Sequence, residues 1–281
     1  MAFAGPIPSR IFWYAVRHFL AAGLLPLLAS GCSALRPSNN RDWAADQVLL
    51  PTAEVDGSQV TVRNIRNCDY RSADKYTVHY YDKTFCLDEL NSVWFLVVPF
   101  AETSSLAHTM LSFGFADRDY LAVSVEIRKE KGEVFAPIKG MLRQFEIMYV
   151  LADERDVVAL RTNHRLSEVY LYRVRATPEQ SQKLFLDVAQ RVNQLAERPE
   201  FYDTFANNCT TNIRRHVNNI APERIRYDWR VLLTGYSDQL AYDLGLLDTD
   251  RSFEETKRRA RINYASYAYR DNPLFSQMIR R

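Results

Sequence analysis

Cysteine is scarce in this 281-residue sequence, with four in all, at positions 32, 68, 86 and 209. No CxxC, HxxxH or HExxH occurs, so no metal site is read from spacing and no cofactor is expected. Nine glycines and 11 prolines are too few for a low-complexity or collagen-like chain. Long apolar runs are missing as well. Phe19 to Leu28 is shorter than the roughly 20 residues a transmembrane helix needs, and Trp94 to Ala101 has the length of a buried strand. Nor is there an excess of either charge. The formal balance is +2, and Arg10 and Arg17 supply that surplus. Without residues 1–31 the chain is neutral, which argues against nucleic acid as a partner, since such binding needs a basic field. What remains is ordinary for a folded chain: 47% hydrophobic, 25% charged, with 15 Phe and 16 Tyr to build a core. The length allows one to two domains.

Residues 1–31 have the order of an export signal. Arg10, Arg17 and His18 come first, without an acid, and the short apolar run follows. Leu28-Ala29-Ser30-Gly31-Cys32 then resembles a bacterial lipobox, which implies cleavage before Cys32 and a lipid anchor on it. Two or more acyl chains there would hold the chain firmly to a membrane. Ser33 in second place, rather than Asp, favours a lipid-anchored, periplasm-facing position on the outer membrane of a Gram-negative envelope over the inner membrane.

Residues 32–45 read as a lipidated tether and 46–250 as one domain. From 58 to 127 the pattern is β: Val60, Val62 and Ile65, then Tyr76–Tyr81, Val93–Val98, Leu106–Phe115 and Tyr120–Ile127, with a turn at Ala116–Asp119. Gln144–Val150 and Val169–Val174 add two strands. Thr177-Pro178-Glu179-Gln180 opens a helix with a capping box, and Leu184, Phe185, Val188, Val192 and Leu195 form its apolar stripe. Further helices are expected over Cys209–Asn219 and Trp229–Leu244. Strands followed by helices argue for an α+β fold with one antiparallel sheet packed against helices. The tail, 251–281, is basic, and Tyr264, Tyr267 and Tyr269 are expected to pack it onto the domain.

Among the cysteines, Cys209 stands at a helix start in Asn207-Asn208-Cys209-Thr210-Thr211-Asn212, where amide dipoles favour a thiolate. A thiol nucleophile needs a base. His216 is about 10 Å along the same helix and too distant. His79 lies among tyrosines and His164 in a charged loop, while His108 sits in an apolar strand, where either a structural or a catalytic role is open. On the next strand Ser124, Glu126 and Arg128 share one face. Glu126 can there orient the His108 ring, or instead form a surface salt bridge with Arg128 or Lys129. Cys68 and Cys86 are a possible disulfide or two packed thiols.

A helix-opening Cys, a strand His and a polar orienter resemble the papain-like NlpC-type cysteine hydrolases, permuted so that His precedes Cys. More closely, Ala107-His108-Thr109-Met110-Leu111-Ser112-Phe113-Gly114-Phe115, Ser124-Val125-Glu126-Ile127-Arg128, Asp153-Glu154-Arg155-Asp156, Val169-Tyr170-Leu171-Tyr172, Asn207–Asn212 and Asp228–Ser237 resemble the Lnb N-terminal periplasmic domain family. The resemblance covers residues 58–250. It implies a thiol acyltransferase or hydrolase acting on acylated lipid or lipoprotein, with Cys209, His108 and Glu126 as catalytic residues. Asn208, Ser112 and Ser124 are then candidates for holding substrate or its oxyanion. Cleavage of cell-wall peptide amides and non-catalytic binding at the envelope are the competing readings. The membrane-embedded part that follows this domain in the family's named member has no counterpart in the short tail after residue 250, which weighs against acyl transfer relative to hydrolysis.

Overall fold

The computed structural model describes residues 36–133 and 145–281. The chain divides into two units, Met1–Pro37 and Ser38–Arg281. Arg36 and Pro37 are the described part of the first, so the export signal and Cys32 lie outside the described residues, as does Gln144.

The second unit is a mixed α+β fold around one mostly antiparallel sheet. Its strands are β1 (Thr52–Asp56), β2 (Gln59–Arg66), β5 (Tyr80–Cys86), β6 (Leu90–Phe100), β7 (Thr103–Phe115), β8 (Asp119–Arg128), β9 (Glu146–Asp153) and β10 (Tyr170–Arg173), while β3 (Asp69–Ser72) and β4 (Lys75–Thr77) form a separate hairpin. The order is β1-β2-β9-β8-β7-β6-β10, with β5 paired to β2. Among the described residues only β2 and β9 run parallel, at Arg66 and Ala152. The stretch 90–128 therefore supplies three adjacent central strands. Ala116 and Asp117, at φ 51° and 50°, make the tight turn between β7 and β8. Tyr76–Tyr81 is not one strand. It breaks at Val78 and His79, and Tyr80 begins a new pairing, with Arg66.

The helices are α1 (Glu154–Ala159), which runs into a π-helical turn (Leu160–His164), α2 (Pro178–Glu197), α3 (Cys209–Ile220), α4 (Ser237–Asp243), α5 (Phe253–Ala260), α6 (Asn263–Ala268) and α7 (Phe275–Met278). At α2 the Thr177 side chain accepts from Gln180 N, and Gln180 reaches back, forming the expected capping box. Alternation along the sheet creates two apolar layers. Val97, Ala107, Leu111, Val123, Val125 and Tyr149 face α2 and α3, in the layer that includes Leu184, Val188, Cys209 and Ile213. Val98, Met110, Ala122, Met148 and Val150 face the other way, with Val157 and Val158 of α1 and with Ile262, Phe275 and Ile279.

Several expectations need correction. The reading of a tether to residue 45 runs too far. Trp43 is buried under the Arg128 guanidinium, 4.2 Å from its ring, and Asn39 donates to the Leu195 and Ala196 carbonyls. The tail does pack on the sheet, but through Ile262, Phe275 and Ile279. Tyr264 and Tyr267 are exposed, because α6 turns them to the side away from the core. Trp229–Leu244 is not one helix. It is two 3₁₀ turns, Trp229–Val231 and Thr234–Tyr236, before α4. The interruption has a cause: the Thr234 hydroxyl accepts from Ala107 N and donates to Ala107 O, both at 2.7 Å. A Cβ on Gly235 would come within 2.0 Å of the Ser104 carbonyl oxygen.

Cys68 and Cys86 are both free thiols. The register explains why they do not bond. Cys86 pairs with Gln59 at one end of β2, whereas Cys68 follows Arg66 at the other. At about 3.4 Å per strand residue the two are roughly 20 Å or more apart, against a Cα limit of about 7 Å for a disulfide.

Candidate functional site

Cys209 is the first residue of α3. Asn208 caps the helix: its side chain accepts from Thr211 N at 2.8 Å, and its own N–H donates to Thr211 Oγ1 at 2.8 Å. The Asn208 amide also donates to the Thr204 carbonyl at 2.6 Å. Asn207 donates to the Phe201 carbonyl and accepts from Asn212. The two asparagines therefore fix the approach to the helix and start it at Cys209. Asn208 is buried and spent on this cap. Cys209 is 7% exposed as a residue, and its Sγ lies 3.8 Å from Thr210 Oγ1. Further along α3, His216 bonds the Tyr149 hydroxyl at 2.7 Å and the Asp187 carboxylate at 2.6 Å, which pins α3 to β9 and α2. That is a structural role, consistent with its distance from the thiol.

His108 and Glu126 come together, though not directly. The His108 Nε2 is 2.8 Å from Ser124 Oγ, and Ser124 Oγ donates to Glu126 Oε1 at 2.8 Å. The β7–β8 pairing spans Phe115↔Asp119 to Met110↔Ser124 and goes no further. Beyond that pair the strands part, and the serine bridges the gap. The serine has one proton and gives it to the carboxylate, so its oxygen accepts from Nε2. The ring is then the Nε2–H tautomer, with Nδ1 left as the accepting nitrogen. Glu126 makes no surface salt bridge. Its cation is Arg161, at 3.1 Å, which comes from the π-helical turn and donates as well to the Val157 carbonyl. Arg128, on the same strand face, is engaged with Gln47 O, Val48 O and Asn39.

Charge sets the protonation of this relay. Burial and the Arg161 guanidinium, only partly opposed by Glu126, push the His108 imidazole down to about 3. Burial alone would raise the Glu126 carboxyl, but Arg161, Arg66 and His108 together hold it well below its ordinary range. At neutral pH the relay is a neutral imidazole, a hydroxyl, a carboxylate and a guanidinium.

The thiol and the imidazole belong to different layers of the sheet. Ala107 and Leu111 share the layer of Cys209, whereas His108 turns with Met110 toward the layer of α1. Among the described residues no hydrogen bond joins Cys209 to His108. Contact passes instead through the adjacent residues, with Thr109 Oγ1 and Thr210 Oγ1 3.0 Å apart. Ser112 stands elsewhere. Fully buried, it donates to Glu154 at 2.5 Å and accepts from Arg280. Both partners belong to an internal ion pair, so the hydroxyl has no path to substrate. Ser124 is equally buried and acts within the relay.

Sequence reasoning missed Arg161, Arg280 and Asp156. Asp156 receives two 2.9 Å bonds from Arg66 and one from Cys68 N. The Asp153-Glu154-Arg155-Asp156 run carried the signal for the last of these: Asp153 caps α1, and the two remaining acids take buried arginines.

The model of the Lnb N-terminal periplasmic domain matches residues 76–235, more than half of the chain and every residue of the relay and of the Cys209 turn. The chain belongs to this family. No curated protein and no solved structure matches it. The matched Lnb N-terminal periplasmic domain region begins at β4 and ends at Gly235, so it includes the Thr234 clamp on β7 and excludes the C-terminal helices α4 to α7.

Proposed function

We propose that this chain is a lipid-anchored envelope protein whose domain is a cysteine acyltransferase or hydrolase working on acylated lipid or lipoprotein, in the permuted papain-like arrangement. The observation that carries the reading is the tautomer of His108. The chain Glu126–Ser124–His108 leaves Nδ1 as a lone-pair acceptor beside the strand position that touches the Cys209 turn.

In the reaction, Cys209 Sγ–H gives its proton to His108 Nδ1 and the sulfur attacks the acyl carbonyl. Backbone N–H groups in the first turn of α3 face the developing oxyanion. Collapse breaks the acyl–oxygen or acyl–nitrogen bond, and the imidazolium returns its proton to the leaving group. The thioester on Cys209 then passes to an amine or to water. Proton transfer requires the ring and the sulfur to close to hydrogen-bond distance when substrate binds, as such bonds commonly tighten only in the complex. The Gram-negative envelope fits the family's periplasmic description, and Ser33 favours the outer membrane.

A non-catalytic binding lipoprotein is the second reading, and the separate layers of Cys209 and His108 favour it. Mass spectrometry of envelope lipoproteins decides between them. Cells carrying the wild-type chain and cells carrying Cys209→Ala should differ in the acylation of lipoprotein N-termini or of lipids. Identical profiles would leave the binding reading standing.

A further inference from the structure

Large apolar side chains are exposed at one end of the sheet. Phe100 and Leu106 on the β6–β7 hairpin are 46% and 37% exposed, and Trp229, Leu233 and Tyr236 are 54%, 40% and 44% exposed. The two groups form one surface. Thr234 is bonded twice to Ala107, next to Leu106. Gly235 lies on the Ser104 and Ser105 backbone, and Trp229 packs edge-on against Tyr236 at 5.3 Å. This is the end at which β7 leaves β8, and so the end that holds His108.

The chain enters the domain at the same end. Ser38 N donates to Glu146 at 3.1 Å. Glu146 opens β9 opposite Arg128, the last residue of β8. By the antiparallel register, that end of β8 lies toward the His108 portion of β7. Cys32 precedes Ser38 by six residues, a span of at most about 20 Å when extended. A lipid on Cys32 would therefore hold the bilayer close to this apolar surface. Tryptophan and tyrosine with Phe and Leu are the side chains that settle at a membrane–water interface, and a contiguous exposed apolar patch marks an interaction site.

We infer that the surface formed by Phe100, Leu106, Trp229, Leu233 and Tyr236 rests on the lipid bilayer and presents the His108–Cys209 end of the domain to it. The inference deepens the acyl-substrate reading and rests on it for its purpose, but the contact itself is measurable without activity.

The test uses the full lipidated chain reconstituted into phosphatidylethanolamine/phosphatidylglycerol vesicles whose acyl chains carry bromine, a short-range quencher of tryptophan fluorescence. Quenching is expected in the wild type, retained in Trp94→Phe and lost in Trp229→Phe. Leu106→Asp with Leu233→Asp, at exposed positions that leave the core intact, should also remove it. Absence of quenching in the wild type, or equal quenching in Trp229→Phe, overturns the inference. Cys209→Ser should be quenched like the wild type. If that variant keeps full enzymatic activity while quenching persists, the catalytic reading fails and the bilayer contact stands.

Discussion

Thr109 and Thr210 meet hydroxyl to hydroxyl at 3.0 Å in the interior of the domain. Each is the immediate chain neighbour of a candidate catalytic residue, His108 on β7 and Cys209 on α3. The contact fixes the height of the helix start against the strand, and it joins the two motifs by their neighbours.

Ser124→Ala is the cleanest probe of the relay. It removes the acceptor of His108 Nε2–H without stranding a charge. Activity should fall by about 10- to 100-fold, less than the loss of the base itself, with KM little changed. Glu126→Gln is a poorer probe, since it leaves Arg161 buried without its anion. Nitrogen chemical shifts of His108 should report the Nε2–H tautomer in the wild type and a mixture of tautomers in Ser124→Ala. A mixture already present in the wild type would refute the assigned relay.

The depressed His108 gives stability a pH dependence. Its folded value is about 3, below the roughly 6.5 of an unfolded histidine. Between these values the unfolded chain takes up a proton that the folded chain refuses, so stability is lost as pH falls from about 6.5 toward 3. The slope from this one group approaches about 1.4 kcal/mol per pH unit. Denaturant melts across that window should show the slope in the wild type and a shallower one in His108→Gln. Parallel curves would contradict a neutral imidazole in the folded chain.

The cysteines should differ in accessibility and charge. Burial and the nearby Asp156 carboxylate push the Cys68 thiol up to about 12, so it should resist iodoacetamide in the folded protein at pH 8. Cys86, half-buried at the end of β5, should react before it. After denaturation without reductant both should label fully, since they are not bridged. A denatured chain in which both stay unlabelled until reductant is added would be the contrary result.

Arg280 ties the C-terminal segment to the sheet. Its guanidinium pairs with the fully buried Glu154 and stacks on Tyr120, 3.6 Å from the ring. Arg280→Met should cost about 3–5 kcal/mol, the usual penalty for leaving a buried charge without its partner. Arg280→Met with Glu154→Gln should recover a large part of that loss. Equal stability of Arg280→Met and the wild type would place the tail outside the cooperative unit.

Much of this architecture was legible in local pattern. A continuous apolar run marked β6, alternation marked β8, and Thr177 with Gln180 marked the start of α2, because strand faces and caps are local properties. Asn208 before Cys209 marked α3 in the same way. The relay was legible only in part. Ser124 and Glu126 share a face by period two, but the end of the β7–β8 pairing at Met110↔Ser124, which makes Ser124 the bridge, is not a local property, and nearby Ala107 is bonded instead to Thr234, over a hundred residues away. Arg161 and Arg280 were not legible, since arginine is usually a surface residue and only a buried partner distant in sequence gives it a place inside. The broken helix at 229–236 was missed for a related reason: Gly235 is needed there for contact with Ser104, not for its own backbone conformation.

The most direct test of the proposed chemistry is intact-protein mass spectrometry of the lipidated chain after incubation with phospholipid vesicles. An acyl adduct should appear on Cys209, should be released by neutral hydroxylamine as a thioester is, and should be missing in Cys209→Ser. In His108→Ala the adduct should form about 10²- to 10⁴-fold more slowly, the usual contribution of a general base. A wild-type chain that never acquires the adduct, or one that acquires it equally in Cys209→Ser, would contradict the assignment of Cys209 as the nucleophile.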